Sequence, residues 1–334
     1  MTEPCDLTAV EARAAISARQ LSPVELTRSC LGRIDDLNPT LNAVVTVAAE
    51  SALEDARAAE DAITNGRGEG LLHGLPVAIK DLQATKGIVT PYGTSFYRDH
   101  MPTADAGIVA RIRAAGGIVI GKTNIPEMSI GANTINRLFG ATGNPYAPEL
   151  TCGGSSGGSA VAVATGMAPL ATGSDHGGSL RIPACFSGVV GHRATPGTVP
   201  HESRTITQTN YSLQGPMGRT VDDVALLLAA ISTRDRASRQ DPMSFPLDSL
   251  SFLDRTTQSV DGLRIGVTAD FGGLLVSFST ENWPNLTFLI IAIILSVIGT
   301  TLGKKVLDII DDAIFFRWTQ LIVLSVGGLS LIHL

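Results

Sequence analysis

The distribution of apolar and polar residues divides this chain into three parts. The first 65 residues read as helical. From Gly74 short β-prone runs alternate with helical stretches, and beyond Gly272-Gly273 long uncharged apolar runs take over. Thr8-Ala-Val-Glu11 and Ser22-Pro-Val-Glu25 both fit capping boxes, the second with proline at the first helical position, so each satisfies N–H groups that a helix start leaves unpaired. A third, alanine-rich helix is expected from about Asn42 to Ile63, ending at Asn65-Gly66. Strands are expected at Pro76–Ile79, Gly117–Ile120 and Leu263–Val267, and helices at Ile108–Ala115 and Val221–Ile231, the last started by Thr220 and Asp223. Strands alternating with helices predict an α/β layer fold.

The end of the chain is different in kind. Asn282 to Gly303 contains no charged residue and is rich in Leu and Ile. About twenty such residues can span a bilayer. Lys304 to Arg317 is a charged connector, and Trp318 to Leu334 is a second uncharged run of 17 residues. Soluble core helices rarely go so long without a charge, so residues 282–334 read as two bilayer-inserted helices rather than a buried hairpin. The expected organisation is a helical segment over 1–65, a core over 66–273 and a hydrophobic membrane-helix tail over 274–334.

Composition narrows the partners. A net charge of -6, with Lys and Arg scattered and no basic run, argues against nucleic acid. The four cysteines, Cys5, Cys30, Cys152 and Cys185, read as reduced cytosolic thiols rather than a disulfide frame. The opening Met-Thr-Glu-Pro-Cys-Asp has neither a basic nor an apolar leader region, so the core is expected to be cytoplasmic.

The chemistry concentrates in two glycine-rich turns, Gly153-Gly-Ser-Ser-Gly-Gly-Ser159 and Gly173-Ser-Asp-His-Gly-Gly-Ser179. Upstream lies Lys80, in Gly74-Leu-Pro-Val-Ala-Ile-Lys-Asp81. Backbone that passes close to a reacting carbonyl needs glycine, and hydroxyls among free N–H groups with a lysine in reach are the parts of an acyl-transfer site. A linker reading of the first turn fails on the apolar chain that follows directly at Ala160–Ala164. A phosphate-binding loop would end in Gly-Lys-Ser/Thr, which is absent. The turn also matches Gly-x-Ser-x-Gly, centred on Ser155 or Ser156. That elbow needs a strand before, a helix after and a histidine partner, for which His176, His192 and His201 are the candidates. The six histidines show no His-x-x-x-His spacing, so no metal is expected. Consecutive N–H groups of His176, Gly177, Gly178 and Ser179 could converge on one oxygen as an oxyanion hole, each donor worth roughly 3 kcal/mol to a transition state.

These motifs, together with Gly121-Lys-Thr-Asn-Ile-Pro-Glu127, Gly143-Asn-Pro-Tyr146, Ser179-Leu-Arg-Ile-Pro-Ala184 and Gly215-Pro-Met-Gly-Arg-Thr-Val-Asp222, make the chain resemble the amidase signature enzymes over roughly Leu7 to Gly273. The resemblance implies a mixed sheet core covered by helices. It also implies hydrolysis of a carboxylic amide through an acyl-enzyme by a Ser–Ser–Lys triad. Ser179 is implied as nucleophile, Ser155, after a cis peptide at Gly154, as bridging serine, and Lys80 as base. His176, Gly177 and Gly178 would hold the oxyanion, and Ser156, Asp175 and Arg181 would hold the loop. For Lys80 to accept a proton at pH 7 its pKa must fall by roughly 3 units, about 4 kcal/mol, through desolvation and neighbours. Val77, Ala78 and Ile79 fit an apolar strand that buries it, while Asp81 points to the opposite face. No cofactor or metal is implied, and the expected partner is a small-molecule amide substrate.

The resemblance has departures. Cys152 stands where a proline is common, and His192-Arg193-Ala194 replaces Leu-Lys-Pro; both read as structural. Ile182 follows Arg181 where the A component of glutamyl-tRNA amidotransferase typically has glutamine, which favours a stand-alone amidase over a component of that kind. Family members continue well past Gly273, whereas residues 275–334 resemble the last two membrane helices of a TauE/SafE-type exporter. The expectation is a truncated amidase joined to an unrelated membrane tail, with a catalytically impaired membrane-associated protein as the alternative.

Overall fold

Helix starts in the N-terminal part follow the caps read from the sequence. Helix α1 (Ala9–Ser17) begins where Glu11 N–H donates to Thr8 Oγ1 at 3.2 Å and Thr8 N–H donates back to Glu11 Oε2 at 2.9 Å. Helix α2 (Pro23–Leu41) repeats the arrangement with Ser22 and Glu25. The computed structural model describes residues 3–67, 70–202, 211–232 and 241–259. All of these belong to one compact unit, Met1–Val267; a second unit is Thr268–Leu334. The expected strand at Leu263–Val267 and the expected membrane tail lie outside the described residues. Among the described residues no helix is long and apolar enough to cross a membrane.

The third predicted helix is shorter at its start than expected. Asn42 takes a left-handed conformation, φ +52°, which ends α2. The Asn38 side chain then pins the reversal: its Oδ1 accepts from Ala43 and Val44 N–H at 2.8 Å each, and its Nδ2 donates to Val44 O at 2.8 Å. The freed Val44-Val-Thr-Val becomes strand β1 (Val44–Val47), and helix α3 runs only from Ala49 to Thr64. β-Branched residues favour the pleated state once a neighbouring strand is available.

The rest alternates as predicted. Strand β2 (Pro76–Lys80) is followed by helix α4 (Gly107–Ala114) and strand β3 (Ile118–Thr123). A small hairpin of β4 (Ile135–Asn136) and β5 (Gly140–Ala141) precedes helix α5 (Gly157–Ala164). Next come β6 (Leu170–Asp175), α6 (Arg181–Ser187), β7 (Val190–Gly191), β8 (Leu213–Gly218), α7 (Val221–Ile231) and α8 (Ser251–Arg255). The main sheet has the strand order β1-β3-β2-β6-β8-β7. Its centre, β3-β2-β6, is parallel, and β1, β8 and β7 join antiparallel to their neighbours. This is the mixed α/β arrangement expected.

Every residue of β2, β3, β6 and β8 is buried, the condition of strands covered on both faces. Strands β6 and β8 carry no β-prone run; Leu-Ala-Thr-Gly-Ser-Asp and Leu-Gln-Gly-Pro-Met-Gly read locally as turns. Close packing explains their glycine. A Cβ on Gly173 would lie 2.4 Å from Leu180 Cδ2, and one on Gly215 2.4 Å from the backbone oxygen of His192, so side chain and backbone pack against β6 and β8 in the room that the missing carbons leave. Helix α5 is buried from Gly157 to Val163 and packs against β2, β3, β6 and β8. It thereby delivers its N-terminus to the carboxyl ends of the parallel strands, where open α/β sheets hold ligands.

Candidate active site

Lys80 is the last residue of β2, and its side chain is fully buried. Its Nζ lies 2.8 Å from Ser155 Oγ, 2.9 Å from Ser156 Oγ and 2.8 Å from Ser174 Oγ. Ser155 and Ser156 immediately precede α5, and the Gly154–Ser155 peptide is cis. Ser174 comes from β6, the parallel neighbour of β2. The backbone of Lys80 is fixed too: its N–H donates to Thr172 Oγ1 at 3.0 Å, and that hydroxyl donates to Gln83 Oε1. Burial lowers the Lys80 amine to about 7, against an opposing pull from the Asp175 carboxylate.

Asp81 does not act on this amine. Its Oδ2 accepts from Gly93 N–H at 2.8 Å, and its charge interacts with Lys122, a second fully buried lysine on β3. Lys122 donates to Gln83 O and to Thr85 Oγ1, the latter at 2.8 Å. Burial raises Asp81 and lowers Lys122.

The second glycine turn is organised by Asp175. This buried carboxylate accepts from Gly178 N–H at 2.9 Å and Leu180 N–H at 3.1 Å, and from Arg181 Nε at 3.0 Å and Nη2 at 3.1 Å. Arg193 Nη1 adds a bond at 3.1 Å and also donates to Asp175 O and Tyr211 O. Burial alone would raise the Asp175 carboxyl; the Arg181 bonds and the two N–H donors outweigh it and hold it below the ordinary range. Arg193 is thus tied to the site, although the sequence marked it only as a departure.

Ser179 is half-buried, and its O accepts from Ser156 N–H at 3.2 Å. It shares a cavity of about 530 Å³ with Ser155 and Ser174, walled by Leu82, Met128, Ser129, Ile130 and Ile182. Among the described residues no hydrogen bond joins Ser179 to Ser155. His176 and Gly177 line the same cavity. The expectation that Gly178 N–H joins them in an oxyanion hole is corrected: that N–H is spent on Asp175, three residues back, the short-range turn that aspartate makes readily. The elbow reading also fails, because no histidine ring is hydrogen-bonded to Ser155, Ser156 or Ser179 among the described residues. Those residues contain no cluster of three or more His, Cys, Asp or Glu that could hold a metal.

Sequence reasoning brought Lys80, Ser155, Ser156, Asp175, Ser179 and Arg181 to one region, and they meet there. It treated Ser156 as a loop support, whereas the structure puts its hydroxyl on Lys80 itself. It missed Ser174, whose signal is the two-residue alternation with Thr172 along β6. It also missed Ser129, which carried no local signal.

A family model described as Amidase matches residues 25–282, starting after Leu7 and running past Gly273. The A component of the glutamyl-tRNA(Gln) amidotransferase from Chloroflexus aurantiacus is 38% identical over 271 residues, 81% of this chain and 55% of that protein. An acylamidase of Rhodococcus erythropolis is 39% identical over 266 residues, 80% of this chain and 55% of that one. Among solved structures, a bacterial aryl acylamidase of the amidase signature family superimposes with a TM-score of 0.68 at 34% identity, covering 72% of this chain and 50% of that one. The peptide amidase of Stenotrophomonas maltophilia superimposes with a TM-score of 0.68 at 33% identity, covering 75% and 53%. The chain therefore spans about half the length of the relatives it matches.

Burial of Lys80 has a consequence for stability. Its pKa is about 7 when folded and near 10.5 otherwise, so between these values the unfolded chain binds more protons at this site. Stability then rises with pH across that window, and the cost of burying the amine is fully present below pH 7. Lys80→Met is expected to flatten part of the rise in urea-unfolding free energy between pH 7 and 10; an unchanged slope would contradict the depressed amine.

Proposed function

The chain belongs to the amidase family, and on that premise we propose that it hydrolyses a carboxylic amide C–N bond through an acyl-enzyme on Ser179. The observation that carries the reading is the buried Lys80 amine, lowered to about 7 and within 2.8 Å of Ser155 Oγ. In the proposed reaction Lys80 is the base, Ser155 the bridge and Ser179 the nucleophile. The N–H groups of His176, Gly177 and Ser179, which line the cavity and make no hydrogen bond among the described residues, are assigned to the developing oxyanion. Lys80 first returns the proton through Ser155 to the departing amine. Water, giving its proton to the same relay, then attacks the acyl-enzyme and releases the acid, and the relay returns that proton to Ser179 Oγ. Asp175, Arg181 and Arg193 keep the 176–180 backbone in place.

An uncharged small amide is the proposed substrate class. The cavity wall supports it: Leu82, Met128, Ile130 and Ile182 are apolar, and no lysine or arginine lines it among the described residues. The relative at 38% identity favours a second reading, the A component of a glutamyl-tRNA amidotransferase, which would act on glutamine. A free glutamine carboxylate calls for a cation, which the described wall does not offer. The uncharged runs 282–303 and 318–334 support a further part of the proposal, a bilayer-inserted tail of the TauE/SafE exporter type.

A fluorophosphonate probe tests the central assignment. Ser179 is expected to be labelled, with a rate that rises as pH passes about 7. Ser179→Ala is expected to abolish labelling, and Lys80→Met to slow it by a factor of about 100 or more, the general-base contribution. Labelling at another residue, or an unslowed Lys80→Met variant, would remove the reading. Glutaminase activity that appears only with a co-purifying partner protein would transfer the assignment to the second reading.

A further inference from the structure

The Ser155 hydroxyl has one neighbour that a three-residue relay does not use. Ser129 Oγ lies 2.9 Å from Ser155 Oγ and donates to it. Ser129 ends the short turn Glu127–Ser129, in the wall of the cavity that holds Ser179. Its backbone is unusual: Met128 and Ser129 have φ of +51° and +64°, conformations that non-glycine residues keep only where surroundings impose them.

Those surroundings lead back to Lys80. Met128 N–H donates to Tyr92 O at 2.9 Å, and Ser129 N–H to Pro126 O at 2.8 Å. Thr94 Oγ1 donates to Glu127 Oε1 at 2.6 Å. Tyr92 is itself left-handed, φ +54°, and the next N–H, of Gly93, is held by the Asp81 carboxylate at 2.8 Å. Asp81 follows Lys80 in the chain. Lys80, Asp81, Gly93, Tyr92, Met128, Ser129 and Ser155 thus close a ring of covalent and hydrogen bonds that ends on the Lys80 amine.

We infer that Ser129 is a positioning residue for proton transfer through Ser155, an inference that rests on the triad reading above. A hydroxyl has one proton and two lone pairs. With Ser129 donating to one lone pair of Ser155, the Ser155 proton is directed at the neutral Lys80 Nζ and the second lone pair is left for the proton of Ser179. As Ser179 attacks, its O–H bond breaks while an oxygen electron pair forms the bond to the acyl carbon. The carbonyl π pair moves onto the carbonyl oxygen. The Ser179 proton passes to Ser155 Oγ, and the proton that Ser155 held passes to Lys80 Nζ. Negative charge develops on Ser155 Oγ during the transfer, and a donor already aimed at that atom stabilises it without reorganisation. Ser156 is not equivalent, because its own proton is directed to Ser174 O at 3.2 Å.

The test uses the full chain with Ser129→Gly, which removes the hydroxyl and suits a positive φ, and Ser129→Asn, which suits that φ and restores a donor. Both are compared with the parent and with Lys80→Met for amide hydrolysis, fluorophosphonate labelling and melting temperature. Ser129→Gly is expected to lower kcat and the labelling rate about tenfold, less than the ~100-fold loss of an oxyanion donor. KM stays unchanged, the melting temperature is no lower, and Ser129→Asn recovers part of the rate. A Ser129→Gly variant as fast as the parent, or one whose loss follows KM or the amount of unfolded protein, overturns the inference. When Lys80→Met is slowed as expected and Ser129→Gly is as fast as the parent, this inference alone falls. A parent chain that neither hydrolyses nor labels, or an active Lys80→Met, overturns the triad reading and this inference with it.

Discussion

A lysine amine enclosed on all sides by protein is the constraint around which the described structure is built. Lowering it from 10.5 to about 7 corresponds to on the order of 5 kcal/mol in favour of the neutral form. The three surrounding hydroxyls match that form. A neutral amine has two N–H groups and one lone pair, and Ser155, Ser156 and Ser174 supply three partners. Strands β2 and β6 and helix α5 supply the groups of this enclosure. The parallel strands bring Lys80 and Ser174 side by side, and α5, buried along its length, presents Ser155 and Ser156 to the same point.

Asp175 solves the opposite problem close by. It is a buried carboxylate that keeps its charge, because two guanidinium groups and two backbone N–H groups take the place of hydration. Its field opposes the depression of Lys80, so the two groups pull against each other. Desolvation is the larger effect on the lysine. In return the carboxylate fixes the 176–180 backbone, which carries Ser179. The same bonds withdraw Gly178 N–H from any role toward substrate, so the anchor narrows the set of donors available to an oxyanion.

What was legible in the sequence was local. The capping boxes at Thr8, Ser22 and Thr220 involve residues three apart, and all three form. The glycine strings around Ser155 and Ser179 announced close backbone approach, and the motif resemblance placed Lys80 beside them. What escaped depended on partners distant in sequence. Strand β1 exists because Asn38 ties down the chain after Asn42 and β3 offers an edge to pair with. Strands β6 and β8 look like turns until their neighbours fill the space that glycine leaves. Ser129 reaches Ser155 through a left-handed turn that its own residues do not favour.

The most direct measurement is an NMR titration of the Lys80 side chain, with lysine labelled at Cε and the resonance assigned by its loss in Lys80→Met. The account predicts a midpoint near 7, set by burial and only partly offset by Asp175. A midpoint near the ordinary lysine value of about 10.4 would mean that the amine stays protonated at neutral pH and cannot take the proton assigned to it.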